Sequence, residues 1–340
     1  MHVPVATLLL VSLARRAFGD ALADAYCTST SVEVMEEETL ELTAHLPDWL
    51  HGDYFLNSAA VFGMPERNMT HVFDGFSKVL RWRFAGNRTL PTIRARLLQS
   101  EWHRQSVVHR TVYPSAAIGP MVPPFSKAEE LKTPWDGCND NFNVNIFSFG
   151  SGAQRVALGD VSDPKHSFHV LNSEDLTSTS FAWKERWAQP ISDRNSPAHP
   201  RVVPDGTNDV VGLTMRVNPL AAAGLGKHSL VLWRINASDP DVGRGRRLLH
   251  KWHVDHLPFV HSIGLTRNYA VICAGPVNID AGALMVGKSF SSALLYTEGP
   301  STVFLVPLDP QVWALSTYVC MCVCVHGRGR AGSVDGNPKV

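Results

Sequence analysis

Residues 260–277 read V-H-S-I-G-L-T-R-N-Y-A-V-I-C-A-G-P-V. The run Tyr269–Ala274 is apolar, includes β-branched Val271 and Ile272, and stops at Gly275-Pro276, which marks a strand closed by a turn. A histidine set just ahead of such a strand is either a core residue with a local hydrogen-bond partner or a ligand aimed out of the sheet. The rest of the chain must decide between them.

The theme occurs twice. Residues 196–217 read S-P-A-H-P-R-V-V-P-D-G-T-N-D-V-V-G-L-T-M-R-V, so His199 also precedes a strand pattern, and His261 follows it by 62 residues (261 minus 199). That interval holds one four-stranded sheet with its turns. Short strand-like runs appear throughout: 52–57, 78–84, 143–149, 168–171, 210–217, 229–235, 269–274 and 302–308. Turn sequences such as A-G-N (85–87), P-D-G (204–206) and N-A-S-D-P-D (236–241) separate them. Long helical periodicity is absent, and 125–132 is the best short helix. The pattern predicts an all-β sandwich, barrel or propeller. In a propeller, equivalent positions of successive blades point at one axis, and repeated histidines there would converge on one metal ion.

Composition narrows the function. The 340 residues are enough for one large domain or two ordinary ones, and 31 basic residues balance 31 acidic ones. That balance lacks the basic footprint of a nucleic-acid binder, so no nucleic-acid partner is expected. No apolar run reaches the 18 residues of a spanning helix. Cys27, Cys138 and Cys273 are scattered and Cys320, Cys322 and Cys324 crowd the tail, which forms neither a disulfide framework nor a C-x-x-C zinc pattern.

The two ends differ from the middle. Residues 1–25 have an apolar core followed by A-x-A arrangements at Ala21/Ala23 and Ala23/Ala25, as in a cleaved targeting segment (a signal peptide). Arg15-Arg16 and Phe18 leave both a secretory and a plastid destination open. Three sequons, at Asn68, Asn87 and Asn236, decide nothing between them. Tyr318–His326 alternates valine and cysteine as a translated TG-dinucleotide repeat does, ahead of a glycine-rich end. A strand with its thiols on one face is the alternative, but the expectation is read-through sequence from 313 to 340 and a protein domain spanning 26–312.

Several segments in order carry a resemblance. L-P-D-W-L-H-G-D-Y-F-L-N-S (46–58) is followed by H-V-F-D-G-F (71–76), N-D-N-F-N-V-N (139–145), A-H-P-R-V-V-P-D-G-T (198–207) and H-S-I-G-L-T-R-N-Y-A-V (261–271). Together they resemble the carotenoid cleavage oxygenase family, from about residue 46 to about residue 310. The first departs from the family's Arg-Asn-Gly-Pro-Gly continuation and keeps only Asn57.

The resemblance implies a seven-bladed β-propeller, incomplete here because its C-terminal blades are missing. It implies one Fe(II) per complete chain, held by four histidines, of which His199 and His261 match the first two. It places Asp160, in A-L-G-D (157–160), where the family has a glutamate that accepts a hydrogen bond from a ligand histidine. The reaction implied is cleavage by O2 of a conjugated double bond in a carotenoid or apocarotenoid, leaving two carbonyl products. Isomerisation with ester cleavage, as in the retinal isomerase, is the other chemistry of the family. The protein would act as a monomer, with peripheral membrane contact through the proline-rich loop 111–125.

His326 is the only histidine after His261, and its V-H-G-R-G context matches neither remaining ligand. With two ligands of four, iron would be held weakly and an open propeller would leave an unpaired edge. The chain as written is therefore expected to be a fragment, inactive and poorly folded, or at most a metal-free β-protein. His250, His253 and His256 are read as strand or loop residues, not ligands. His166 and His169 are read as belonging to an exposed loop, and Trp183 and Trp187 as packing residues.

Overall fold

A computed structural model of the chain describes residues 29–43, 45–86, 89–136, 139–148, 154–159, 167–186, 193, 196–197, 199–218, 220–221, 225–239, 245–297, 301–309 and 320–323. Four four-stranded antiparallel sheets follow one another along the chain. The first contains His51–Val61, Phe76–Ala85 and Thr92–Leu97, with Val34–Thr39 as its outer strand. The second runs Asn145–Ser148, Gln154–Leu158, Phe168–Asn172, Ser178–Phe181. The third runs Arg201–Val202, Val210–Arg216, His228–Ile235, Arg246–Val254. The fourth runs Gly264–Leu265, Tyr269–Ala274, Ser301–Pro307, Cys320–Val323.

Each sheet after the first is a simple meander, so its first strand lies at one edge and its last at the other. Where the third and fourth sheets meet, the edge begins with a parallel bridge between His199 and Ser262. Meandering sheets whose first strands run side by side in parallel are propeller blades. The expected fold is thus present as four blades of an incomplete propeller.

The strand Val210–Arg216 shows why the sequence reads as it does. All seven of its residues are buried. Val211, Leu213 and Met215 pack with Ile263, Ala270, Ile272 and Val306 of the fourth-sheet side. Val210 faces the other way, with Trp233 and Ile235 against Val156 and Phe168 of the second sheet. Alternate side chains serve two different cores, so the strand is apolar on both faces instead of alternating. Gly212 is fixed by the same packing, because a Cβ there would sit 2.3 Å from the Trp233 ring.

Every strand run named from the sequence is present, and further elements were hidden. Thr92–Leu97 and Arg246–Val254 are rich in arginine, lysine and histidine, and Glu101–His109 is a helix. Ser100 caps that helix by accepting from His103 N at 3.1 Å, and Arg110 ends it in the left-handed conformation. The short helix expected at 125–132 appears as Lys127–Asp136. Loop 111–125 is mostly packed inward through Val112, Ala117 and Met121, while Val122 is exposed. No helix among the described residues is long and apolar enough to cross a membrane.

The targeting segment 1–25 lies outside the described residues. Of the tail 313–340, Cys320–Val323 is described, as a backbone strand antiparallel to Ser301–Phe304. The rest of that tail, His326 included, lies outside.

Candidate metal centre

The third and fourth blades bring the two sequence-matched histidines together. The His199 and His261 rings are 4.7 Å apart between centroids, at 64°. His199 is held by the bridge to Ser262 and by its place just before the strand Arg201–Val202. The backbone around His261 is pinned by burial of Val260 and Ile263, and by Arg201, whose Nε donates to the Ile263 carbonyl at 3.0 Å. His261 itself is exposed. An exposed ring is not a core histidine.

Two imidazoles side by side are a donor type that divalent transition metals take. Imidazole nitrogen suits a borderline divalent ion such as Fe(II). Among the described residues, no cluster of three or more His, Cys, Asp or Glu forms such a site. Phe259 lies 6.1 Å from the His261 ring, with Phe290 edge-on to it at 5.7 Å, so one side of the pair is aromatic. Asp160 lies outside the described residues.

The other histidines stand apart. His250 is buried on its strand with Nε2 2.7 Å from the Pro307 carbonyl, and His253 Nδ1 is 3.2 Å from Ser229 Oγ. His169 corrects the sequence reading, since it is fully buried within Phe168–Asn172 and not in an exposed loop. Its Nε2 is 3.3 Å from Asp140 Oδ2. Burial opposes ionisation of Asp140, yet His169 and the Trp102 and Glu101 amides together hold its carboxyl below the usual range. Trp183 is a packing residue, stacked on Phe168 at 4.4 Å with the Arg246 guanidinium 4.1 Å from its ring. Trp187 lies outside the described residues.

The remaining motifs join the first two blades. Asn57 bonds the Phe142 carbonyl and accepts from Ser77 Oγ. Asn141 Oδ1 accepts from Ser77 N at 2.7 Å and its Nδ2 donates to the Gly75 carbonyl at 2.8 Å. Asn143 Nδ2 donates to the Phe73 carbonyl at 2.7 Å. Asn141 both accepts from and donates to buried backbone, which an amide side chain can do and a carboxylate cannot.

Residues 29–326 match the family model described as retinal pigment epithelial membrane protein. A carotenoid isomerooxygenase of Galleria mellonella is 25% identical over 259 residues, covering 74% of this chain and 47% of that protein. A mitochondrial carotenoid-cleaving dioxygenase of Pongo abelii is 24% identical over 302 residues, covering 82% and 51%. The chloroplastic carotenoid cleavage dioxygenase 8 of Arabidopsis thaliana is 26% identical over 271 residues, covering 76% and 43%. The chain thus spans about half the length of the curated relatives it matches. Cobalt-substituted apocarotenoid oxygenase of Synechocystis superposes with a TM-score of 0.67 at 16% identity, over 88% of this chain and 58% of that one. At that identity the likeness establishes the fold.

Proposed function

Because the chain belongs to the retinal pigment epithelial membrane protein family, whose model it matches over residues 29–326, we propose that its site serves oxidative cleavage of a carotenoid or apocarotenoid. The observation that carries this reading is the pairing of His199 with His261 at 4.7 Å. These two imidazoles would hold Fe(II) together with two further histidines of the complete protein, one ion per chain. Iron, when bound, supplies the activation of O2 that a protein side chain cannot.

The chain's own residues do the rest. Histidine ligands would leave the ion's charge uncompensated, and the family resemblance gives Asp160 the part of offsetting it by accepting a hydrogen bond from a ligand ring. Phe259, backed by Phe290, gives the His261 side of the pair an apolar aromatic neighbour, which suits a polyene. Exposed Val122, in the loop 111–125, would supply peripheral contact with the membrane where such substrates dissolve. Residues 1–25 address the protein to a membrane-bounded compartment, and its relatives include mitochondrial and chloroplastic forms. Residues 26–312 are the catalytic domain in this reading, and 313–340 are a tail beyond it, of which Cys320–Val323 lies along Ser301–Phe304.

A relative named an isomerooxygenase favours one second reading, isomerisation at the same iron. Product analysis separates the two. The Fe(II)-loaded chain is incubated with an apocarotenoid under O2, and the products are identified by mass. Two shorter carbonyl compounds whose carbons add up to the substrate support cleavage. A product of unchanged carbon count supports isomerisation. Unchanged substrate overturns both for this chain.

A further inference from the structure

The motif H-V-F-D-G-F (71–76) has no part in the site described so far, yet a continuous line of contacts leads from it to His261. Asp74 is buried, and its two carboxylate oxygens accept from Ile118 N at 2.7 Å and Gly119 N at 2.8 Å. The same segment is gripped from its other side. Phe290 N donates to the Ala117 carbonyl at 2.8 Å and Ser291 N to the Ile118 carbonyl at 3.0 Å. Ile118 is therefore clamped at both its N–H and its carbonyl. Phe290 in turn meets Phe259 edge-on, and Phe259 stands two residues before His261 with its ring 6.1 Å from the imidazole.

We propose that Asp74 is a positioning residue for His261, acting through the 117–119 segment, Phe290 and Phe259. Three features distinguish this from simple anchoring of a loop. The turn that carries Asp74 is itself fixed from the second blade, by Asn141 to the Gly75 carbonyl and Asn143 to the Phe73 carbonyl. Gly119 presses on His71 so closely that a Cβ would lie 2.6 Å from the His71 Cβ, so the segment cannot sink toward its own blade. The receiving segment is also supported independently. Gly287, at φ +77°, lies against the Glu130 backbone, so loss of Asp74 shifts Phe290 without freeing the whole connection. A carboxylate is needed because two amide donors converge on one side chain. The effect of this placement on metal binding rests on the reading under Proposed function; the placement itself rests on the contacts alone.

The test is hydrogen exchange by mass spectrometry on the whole chain and on Asp74→Asn, which can satisfy only one of the two amides. Exchange should quicken roughly tenfold or more in three windows, 113–121, 286–294 and 257–264, while 210–216 and 228–235 stay unchanged. Acceleration confined to 113–121, or spread evenly over the chain, overturns the proposal. Phe290→Leu is the second variant, and serves if Asp74→Asn does not fold. It should quicken 257–264 and leave the Ile118 and Gly119 amides as they are; no change at 257–264 overturns the proposal. Cobalt(II) titration of the same proteins then reads the consequence. Asp74→Asn should weaken roughly tenfold any binding that His199→Ala and His261→Ala abolish. A chain that binds no cobalt through these histidines sinks the iron reading, while the exchange data still decide the role of Asp74.

Discussion

Arg201 donates from Nε to the carbonyl of Ile263 at 3.0 Å, so a residue two positions after His199 holds one two positions after His261. The tie crosses between blades beside the parallel bridge from His199 to Ser262. It fixes how the two histidines face each other without occupying either imidazole.

Replacing Arg201 by methionine keeps the aliphatic stem and removes the donor. The loss should cost about 1 kcal/mol of stability, measured by urea unfolding. It should also weaken divalent-metal binding more than that change in stability accounts for. Equal stability and equal metal affinity would show that the tie plays no part in setting the pair.

Gly212→Ala is a test of the shared core. The new methyl would meet Trp233 at 2.3 Å, and Trp233 is itself fixed by donation from Nε1 to Thr214 Oγ1 at 3.0 Å. A loss of about 1–3 kcal/mol is expected on unfolding. Leu232→Ala, in the opposite core, should cost about 2–5 kcal/mol. Near-neutral results would mean that the blades do not pack as described.

Stability should fall as the solution is acidified from pH 7 to pH 5. Burial lowers the proton affinity of His228 from the ordinary value of 6.5, with nearby His256 adding to the effect. The geometry agrees, since Asn218 N donates to His228 Nδ1 at 3.1 Å and that nitrogen must stay unprotonated. A histidine with a lowered folded pKa contributes stability that is full above 6.5 and is lost as pH falls below it, because the unfolded chain binds the proton first. Burial lowers His103 and His250 in the same sense. The melting temperature of the chain should drop over this range, and His228→Gln should flatten part of the drop. An unchanged slope in the variant would remove His228 from the account.

Much of this was legible in the residues, and what was not has physical causes. The strands Val210–Arg216 and Tyr269–Ala274 announced themselves because burial on one or both faces demands apolar runs. The pairing of His199 with His261 was legible because both precede equivalent strands of successive blades. Arg81 was not, since this nearly inaccessible cation owes its burial to Glu37 and to the carbonyls of Ser173 and Glu174, far along the chain. His169 looked like a loop residue because its partner, Asp140, comes from another segment. The strand Thr92–Leu97 was hidden by Arg94 and Arg96, which a local reading assigns to solvent.

Asp74 makes the same point about motifs. Its place in H-V-F-D-G-F marked a family resemblance, while its work is done on Ile118 and Gly119. Burial raises its proton affinity even though those amides and His71 pull the other way. Such a carboxylate is costly to keep ionised, and the two converging amides are what make it tolerable.

The most direct test of the central claim is equilibrium dialysis against Fe(II) under anaerobic conditions. It would compare the chain with His199→Ala, His261→Ala and the double variant, with circular dichroism confirming that each is folded. With two of the four ligands, the wild-type chain should bind one ion weakly, and each single substitution should abolish that binding. Retention of iron by the folded double variant, or none by the folded wild-type chain, would contradict the claim.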